Sequence, residues 1–151
     1  MAYRPRGLTF EQFAVGDAFE TAGRTITEAD IVNFAYLSGD WNPLHTDEEM
    51  MRASAFGGRI AHGALGLAVA TGLVNQLGIF EGTTIAVLEM VTRFTGVIRM
   101  GDTVHVAFGI TDKKESKKPD RGIVTVSVQL LNQRNERAME GQWVVMLKRQ
   151  E

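Results

Sequence analysis

The chain has 151 residues, of which 44% are apolar and 23% are charged, a composition typical of a folded domain with a substantial core. Its formal net charge of −2 argues against a surface built to bind nucleic acid or an anionic membrane. The absence of cysteine excludes disulfides, thiolate nucleophiles and cysteine-ligated metals.

The N-terminal stretch MAYRPRGLTFEQF lacks the apolar core of a signal peptide, and no apolar run approaches the ~18 residues that span a bilayer. We therefore expect a cytoplasmic protein without a membrane partner. No repeat or linker divides the chain, so a single domain over residues 1–151 is expected. Within it, residues 27–78 have helical spacing, whereas residues 83–149 alternate as strands do.

The first half of the chain predicts one early strand and two short helices. The segment VGDAFETAGRTI is the candidate strand. Thr27 is positioned to cap a helix that Gly39 ends, and Pro43 is expected to prevent the helix from resuming. Asp47 is positioned to cap a second short helix, EEMMRAS, and AFGG follows it as a flexible break.

The longest predicted helix begins at Ile60 or His62 and runs to Leu77. Its apolar positions lie all around the helix, which predicts burial on every side. Four strands follow it, at residues 84–97, 102–113, 121–133 and 137–149. A buried helix followed by an antiparallel meander predicts an α+β fold in which the sheet wraps around the helix.

The stretch SGDWNPLH places a carboxylate, Asp40, and an imidazole, His45, in one short segment. On a continuous helix these side chains would point about 140° apart. Gly39 and Pro43 interrupt the helix, so a compact loop permits the two side chains to converge. The alternative is structural, with Asp40 bonding its own loop amides in an Asx-turn and His45 on the surface. Loop composition by itself favours this structural alternative.

Two other interpretations of these polar residues are weaker. Ser38 would complete a Ser-His-Asp set, but three members so close in sequence can hardly align as a triad. The chain contains three histidines, and no HxH or HExxH spacing joins them. We therefore expect no metal site.

The sequence RIAHGALGL places Gly63 at the start of the longest helix, where backbone amides lack intrahelical partners. Such an amide, with the positive end of the helix dipole, favours an anion or a polarised carbonyl, and glycine lets a ligand approach closely. Together with an acid–base loop, this amide predicts a site for carbonyl chemistry. The neighbouring His62 by itself is more typical of a structural residue than of a catalyst.

The stretch FAYLSGDWNPLHTDEEMMRASAFGGRIAHG resembles the signature of the MaoC-like, or (R)-specific, enoyl-CoA hydratases and dehydratases. The specific match covers about residues 34–66, and a weaker match extends through TFEQFAVGDAF, RTITEADI and VTRFTGVIRMGDTV. The resemblance implies a hot-dog fold, in which a curved antiparallel sheet wraps a long central helix, usually in a homodimer. It also implies hydration of trans-2-enoyl-CoA to (3R)-3-hydroxyacyl-CoA, or the reverse dehydration, a reaction that requires no metal or redox cofactor.

The same resemblance assigns the catalytic acid–base pair to Asp40 and His45, and the donor to the thioester carbonyl to the Gly63 amide. Asn42 matches an asparagine that helps to hold the active-site loop. Thr71 stands where some relatives carry a serine that supports the region of the catalytic carboxylate. The predicted supporting residues are Ser38, Asn42 and Thr71.

Other side chains are candidates for substrate contact. The apolar candidates for a tunnel that holds the pantetheine arm and acyl chain are Leu37, Trp41, Phe56 and Leu67. Each is explained as well by an ordinary core position, and Trp41 is the most suggestive because it adjoins Asp40. His62 is a further candidate. The hairpin lysines could contact coenzyme A phosphates, although such charge runs are more often solvated; they are Lys113, Lys114, Lys117 and Lys118.

Two other functions remain open from the sequence. Other hot-dog proteins hydrolyse thioesters with a carboxylate and water, so an acyl-CoA thioesterase is one alternative. A non-catalytic acyl-thioester-binding protein is the other, and the joint presence of Asp40, His45 and Gly63 argues against it. The sequence also leaves open whether coenzyme A or an acyl carrier protein presents the acyl group.

Overall fold

A computed structural model describes residues 4–150, so residues 1–3 and 151 of the expected single domain lie outside the described residues. In chain order, the elements are β1 (Ala18–Glu20), β2 (Arg24–Thr25), α1 (Glu28–Ser38), α2 (Pro43–Thr46), α3 (Glu48–Arg52), α4 (Gly63–Gln76), β3 (Thr84–Phe94), β4 (Thr103–Glu115), β5 (Arg121–Leu131) and β6 (Arg137–Lys148). A 3-10 turn at Phe10–Gln12 precedes them.

One antiparallel sheet forms in the order β1–β4–β5–β6–β3. β4, β5 and β6 pair as the predicted meander, whereas β3 pairs with β6 and not with β4, the strand that follows it in sequence. β3 lies at one edge of this sheet. The strand predicted over residues 84–97 ends earlier, at Phe94. The chain turns there because the amides of Thr95 and Gly96 both donate to the Ala138 carbonyl, at 3.0 and 3.2 Å.

The predicted early strand is divided into β1 and β2, both of which pair antiparallel with β4. Between them, the hydroxyl of the buried Thr21 accepts the Val106 amide at 2.9 Å, in the place of a backbone carbonyl. A side chain thus continues the hydrogen bonding of the sheet edge where the regular ladder is interrupted.

The core lies between α4 and one face of the sheet. β4 alternates as the sequence predicts and buries Val104, Val106, Phe108 and Ile110. From the helix, Leu65, Val69 and Leu73 are among the buried residues that meet them. Burial of each such apolar side chain contributes about 1.5–3 kcal/mol, so this layer holds α4 firmly against the sheet.

The prediction that α4 is buried on every side is wrong for the single chain. The sheet covers one side of the helix and leaves the other exposed, including Gly63, Ala64, Ala68 and Gly72. These exposed residues are small and mostly apolar, so a second element can approach this face closely. Within residues 4–150, no helix has both the length and the hydropathy needed to cross a membrane.

The short helices follow their predicted caps, with one exception. Thr27 caps α1 and Gly39 ends it in the left-handed conformation, with φ 75°. Asp47 caps α3 by accepting the Met50 amide at 2.9 Å. α1 does not resume beyond Gly39, as expected, but a separate four-residue helix that the sequence did not predict, α2, begins at Pro43 itself. Proline is tolerated there because the backbone N–H of a first helical residue has no intrahelical partner, so its absence costs no hydrogen bond.

Candidate active site

The chain between α1 and α2 brings Asp40 and His45 together. Asp40 Oδ2 lies 3.9 Å from His45 Nε2, a separation too long for a direct hydrogen bond. The Asp40 side chain is 52% exposed, whereas that of His45 is 8% exposed. The carboxylate therefore stands on the solvent side of the pair and the imidazole on the protein side.

Asp40 is held at its backbone amide and at one carboxylate oxygen. Its amide donates to Ser38 Oγ at 3.2 Å, and its Oδ1 accepts the Asn42 amide at 3.1 Å. The second contact is the Asx-turn expected from the structural alternative, and it leaves Oδ2 to face His45. Ser38 Oγ in turn donates to the Phe34 carbonyl at 2.7 Å, which ties the loop to the end of α1.

His45 is fixed by the carbonyl of Ile60, which lies 2.7 Å from its Nδ1. A carbonyl can only accept, so Nδ1 carries the proton and Nε2 of the neutral ring is a free base directed to the Asp40 side. α2 turns the ring inward, with Asn42 capping that helix by accepting the Leu44 amide at 3.0 Å. His45 is buried, which excludes the alternative that placed it on the surface.

His62 precedes α4 and contacts both members of the pair. Its Nε2 donates to the Asp40 carbonyl at 3.0 Å. Its ring stacks on the His45 ring, with centroids 3.8 Å apart and planes at 28°. With an exposure of 2%, His62 forms part of the wall beneath the site.

Gly63, the first residue of α4, lies beside this pair. No side chain in the described part of the chain caps the helix start, since the His62 ring is turned toward Asp40 instead. Gly63 and His45 line the same cavity of about 390 Å³. Its other walls are largely apolar and include Leu44, Ile98, Leu130 and Met139. The cavity thus joins a base and a helix-start amide, and the Asp40 carboxylate stands on the solvent side of that base.

The sequence did not predict two of the contacts in this site. The Ile60 carbonyl orients His45, and no sequence pattern marks a backbone carbonyl as a ring partner. Phe94, at the end of β3, packs against Gly63 so closely that a Cβ there would meet its ring at 2.9 Å. The ring is half exposed, and the alternation of β3 does not distinguish it from other outward residues.

By distance alone, Asp40, His45 and His62 resemble a metal site, because one ligand atom from each lies within 4.8 Å of the others. Two of the four ring nitrogens are engaged with backbone carbonyls. The lone pairs of stacked rings lie in nearly parallel planes, so they do not converge on one point as zinc coordination requires. The geometry therefore favours acid–base chemistry over metal binding.

Thr71, a predicted supporting residue, lies about two turns along α4 from Gly63. Its hydroxyl donates to the Ala68 carbonyl at 2.7 Å. It lines a second cavity of about 210 Å³, together with Asn75, Met90 and Trp143. A role in supporting Asp40 stays a prediction, because Thr71 lies about two turns away from the helix start that adjoins the acid–base pair.

The apolar substrate candidates occupy different environments. Leu67 packs against the core, whereas Leu37 is 83% exposed. Trp41 is exposed beside Asp40 and meets the Tyr36 ring edge-on at 4.6 Å. Phe56 is exposed, and its carbonyl accepts the Arg99 guanidinium. Substrate contact remains a prediction for each of them.

The hairpin lysines lie at the opposite end of the sheet from the acid–base pair. Leu130 of β5 lines the site cavity, whereas Arg121 begins β5 at the hairpin, about 30 Å away at the rise of an extended strand. Lys113 donates to the Phe13 carbonyl and lies 4.5 Å over the Phe10 ring. Contact between this hairpin and a ligand in the same chain's site therefore has no geometric support.

Comparisons with known proteins bear on what this geometry does. The sequence matches the MaoC like domain family over residues 10–131. Protein MaoC from Klebsiella aerogenes is 38% identical over 112 residues, which cover 74% of this chain but 32% of that protein. An (R)-specific enoyl-CoA hydratase from Rhodospirillum rubrum is 32% identical over 109 residues, covering 72% of this chain and 74% of that protein.

The fold is shared more widely than the sequence. A Mycobacterium tuberculosis protein with a double hotdog fold matches with a TM-score of 0.86 at 21% identity, over 98% of this chain and 46% of that one. At that identity the likeness concerns architecture alone, and it confirms the predicted α+β hot-dog fold. The chain therefore belongs to the MaoC-like dehydratase family.

Proposed function

We propose that this protein hydrates trans-2-enoyl-CoA thioesters to (3R)-3-hydroxyacyl-CoA, or catalyses the reverse dehydration, with Asp40 and His45 as its acid–base pair. The observation that carries the proposal is the 3.9 Å gap between Asp40 Oδ2 and His45 Nε2, beside a cavity that His45 shares with Gly63. The family match and the 32% identical (R)-specific enoyl-CoA hydratase support the reaction class.

The gap between the two side chains suits a single water. Hydration adds the water oxygen to Cβ of the enoyl group and a proton to Cα. Both Asp40 Oδ2 and His45 Nε2 can contact one water between them, because neither atom bonds the other. The pair accepts a proton from the water as the C–O bond forms and returns a proton to Cα on the same face. A positioned acid or base typically contributes about 10²–10⁴-fold.

The Gly63 amide is proposed to bind the thioester carbonyl. As the water adds to Cβ, negative charge develops on this oxygen, as in an enolate. The amide begins a 14-residue helix, so the helix dipole and the free N–H both favour that charge. Loss of one such donor typically costs about 2.7–4 kcal/mol of transition-state stabilisation. No metal or redox cofactor enters the proposed reaction.

The test is a panel of enoyl-CoA thioesters, beginning with crotonyl-CoA. We expect the enoyl absorbance to fall without release of free thiol, and the product to be the (3R)-hydroxyacyl thioester. Thiol release without a hydroxyacyl product would instead identify a thioesterase. Binding without turnover of any member of the panel would identify an acyl-thioester-binding protein. Enoyl groups attached to acyl carrier protein, measured in parallel, distinguish the two carriers.

We also propose that the protein is a homodimer joined through β3. This strand lies at the sheet edge, and its exposed side chains include Ile85, Val87, Leu88, Val91 and Phe94. An unpaired apolar edge strand is a template for pairing with another chain. The exposed small residues of α4 lie alongside, since Phe94 packs on Gly63 and Val87 lines a cavity with Thr71.

Light scattering of the purified protein tests the dimer. We expect the mass of two chains, and a shift toward one chain when Leu88 and Val91 are both replaced by glutamate. Glutamate at the exposed Val15, which lies outside the sheet edge, is the matched control and should leave the mass unchanged. A single-chain mass for the unmodified protein would contradict the proposal.

A further inference from the structure

We infer that His62 is a positioning residue that aligns the acid–base pair with the oxyanion amide, an inference that rests on the proposed function. The role follows from where its ring is placed. Nε2 of His62 donates to the backbone carbonyl of Asp40 at 3.0 Å, and the ring stacks on that of His45 at 3.8 Å. The next residue along the chain is Gly63, so His62 contacts or adjoins all three proposed functional groups.

The hydrogen bond determines which tautomer of His62 is present. The Asp40 carbonyl can only accept, so Nε2 carries the proton and Nδ1 bears the free lone pair. Nδ1 is buried and has no hydrogen-bond partner among residues 4–150. An unpaired buried acceptor is unfavourable. The position therefore carries a polar ring at a cost that a phenylalanine of similar shape would avoid.

This cost is explained if the donor at Nε2 is needed. Asp40 is held at its amide by Ser38 and at Oδ1 by Asn42, and both contacts are local to the exposed loop. The His62 bond is the described contact that ties Asp40 to the buried start of α4. Without it, the carboxylate loop would be anchored mainly to the end of α1 and would be free to shift relative to His45 and Gly63.

The stack gives His62 a second anchor. Phe34 of α1 lies on the ring at 5.0 Å, tilted at 58°, while His45 of α2 stacks on it. The ring thus lies among α1, α2 and α4 and cannot move without displacing one of them. The Nε2 hydrogen bond and the stacking of the ring are two separate contacts of His62. Substitutions that remove one and keep the other therefore test the inference.

Two variants divide these contributions. His62→Phe keeps an aromatic ring on His45 but loses the donor to Asp40, whereas His62→Gln keeps an amide donor of similar reach but loses the ring. We expect kcat for the best enoyl-CoA to fall about 10–100-fold in His62→Phe, with KM within about 3-fold, because a displacement of about 1 Å in a catalytic group can cost 10²-fold. His62→Gln should recover kcat to within about 5-fold of the unmodified protein.

A double mutant identifies the group through which His62 acts. In an Asp40→Asn background, His62→Phe should lower kcat little further, since the group that it positions is already disabled. His105→Phe and His105→Gln are the matched controls and should leave kcat unchanged. His105 lies on β4, away from the site, and its Nε2 is 3.4 Å from the Glu20 carboxylate. Thermal unfolding of each variant separates loss of folding from loss of positioning.

Three outcomes overturn the inference: a kcat for His62→Phe within 2-fold of the unmodified protein, an equal loss in His62→Gln, or full additivity with Asp40→Asn. Near-normal kcat in His62→Phe would mean that the ring only fills space, and an equal loss in both variants would mean that the Nε2 donor does not account for the effect. If the unmodified protein hydrates no enoyl thioester, the proposed function fails instead. Long-range ¹H–¹⁵N spectra of the imidazoles then decide positioning, because His62→Phe should shift the His45 ring nitrogens and His105→Phe should not.

Discussion

Two polar segments of this protein differ in what their charges meet. In the site loop, residues 38–46, the carboxylate of Asp40 and the ring of His45 face each other across 3.9 Å without a direct hydrogen bond. In the charged hairpin, residues 115–121, Arg121 pairs with the adjacent Asp120 at 2.7 Å, and Glu115 lies 3.6 Å from Arg149. Both of the hairpin's acidic side chains thus pair with an arginine, whereas the site loop keeps two groups close without a direct hydrogen bond.

The difference lies in what holds the backbone. Buried imidazoles bind the carbonyls of Ile60 and Asp40, so the site loop is anchored from below and its carboxylate remains available. The hairpin has exposed charges on both sides and no buried polar partner of this kind in the described chain. Charge density alone therefore does not distinguish the two segments, whereas the buried rings that bind backbone carbonyls do.

The largest effect is expected from removal of the pair itself. Asp40→Asn retains an oxygen for the Asn42 amide, so the loop should keep its turn while it loses the carboxylate charge. We expect kcat to fall by about 10²–10⁴-fold in Asp40→Asn and in His45→Ala. Steady-state hydration assays and thermal unfolding measure both variants. Near-normal activity of Asp40→Asn would refute the assignment of the pair.

The next largest effect concerns the amide of Gly63. Proline is favoured at the first residue of a helix, and the preceding His62, with ψ 135°, suits a residue before proline. Gly63→Pro therefore removes the N–H with α4 intact, and kcat should fall by about 10²–10³-fold.

The control for this variant is Gly63→Ala, which keeps the N–H but brings a Cβ within 2.9 Å of the Phe94 ring, as the proline also does. Adding Phe94→Ala to each variant relieves that contact. The ratio of kcat between the proline and alanine proteins then isolates the N–H. Equal rates in the two proteins would exclude the amide as the oxyanion donor.

A much smaller effect on activity is expected from the hairpin. Lys117→Glu with Lys118→Glu reverses two charges about 30 Å along β5 from the site cavity. We expect kcat and KM to stay within about 2-fold at low salt, where electrostatic effects are largest. A KM increase above about 5-fold would mean that coenzyme A reaches this hairpin, for example from the site of a second copy.

The smallest effect is on stability at low pH, at Glu11, which shares Arg149 with Glu115 of the charged hairpin. The Gln150 backbone amide and the Arg149 guanidinium lower the pKa of the Glu11 carboxyl to about 2. Because the folded-state pKa is depressed, this stabilisation is fully present above pH ~4.5 and is lost as the pH falls toward about 2. Glu11→Gln should therefore lower Tm at pH 7 by a few degrees. The Tm difference between this variant and the unmodified protein should be smaller at pH 3. A Tm difference that is the same at pH 7 and pH 3 would contradict the lowered pKa of Glu11.

Local rules predicted much of the fold. Thr27 and Asp47 cap the helices assigned to them, and the four long strands lie where alternation placed them, because caps and side-chain periodicity depend on near neighbours. The short helix α2 was not predicted, because the rule against proline within helices does not apply at a first helical residue. The burial of α4 was overestimated, because the apolar pattern does not state whether a sheet or a second chain covers each side.

The sequence by itself determined the residue types of the site and their order along the chain: an acid and a base in a loop that cannot be one helix, and a glycine at the start of α4. Only the tertiary structure decided that His45 points inward, that the Ile60 carbonyl sets its tautomer and that His62 joins Asp40 to α4. The physical reason is that these contacts link residues 15 and 22 positions apart through backbone carbonyls, which every residue carries and no sequence pattern marks.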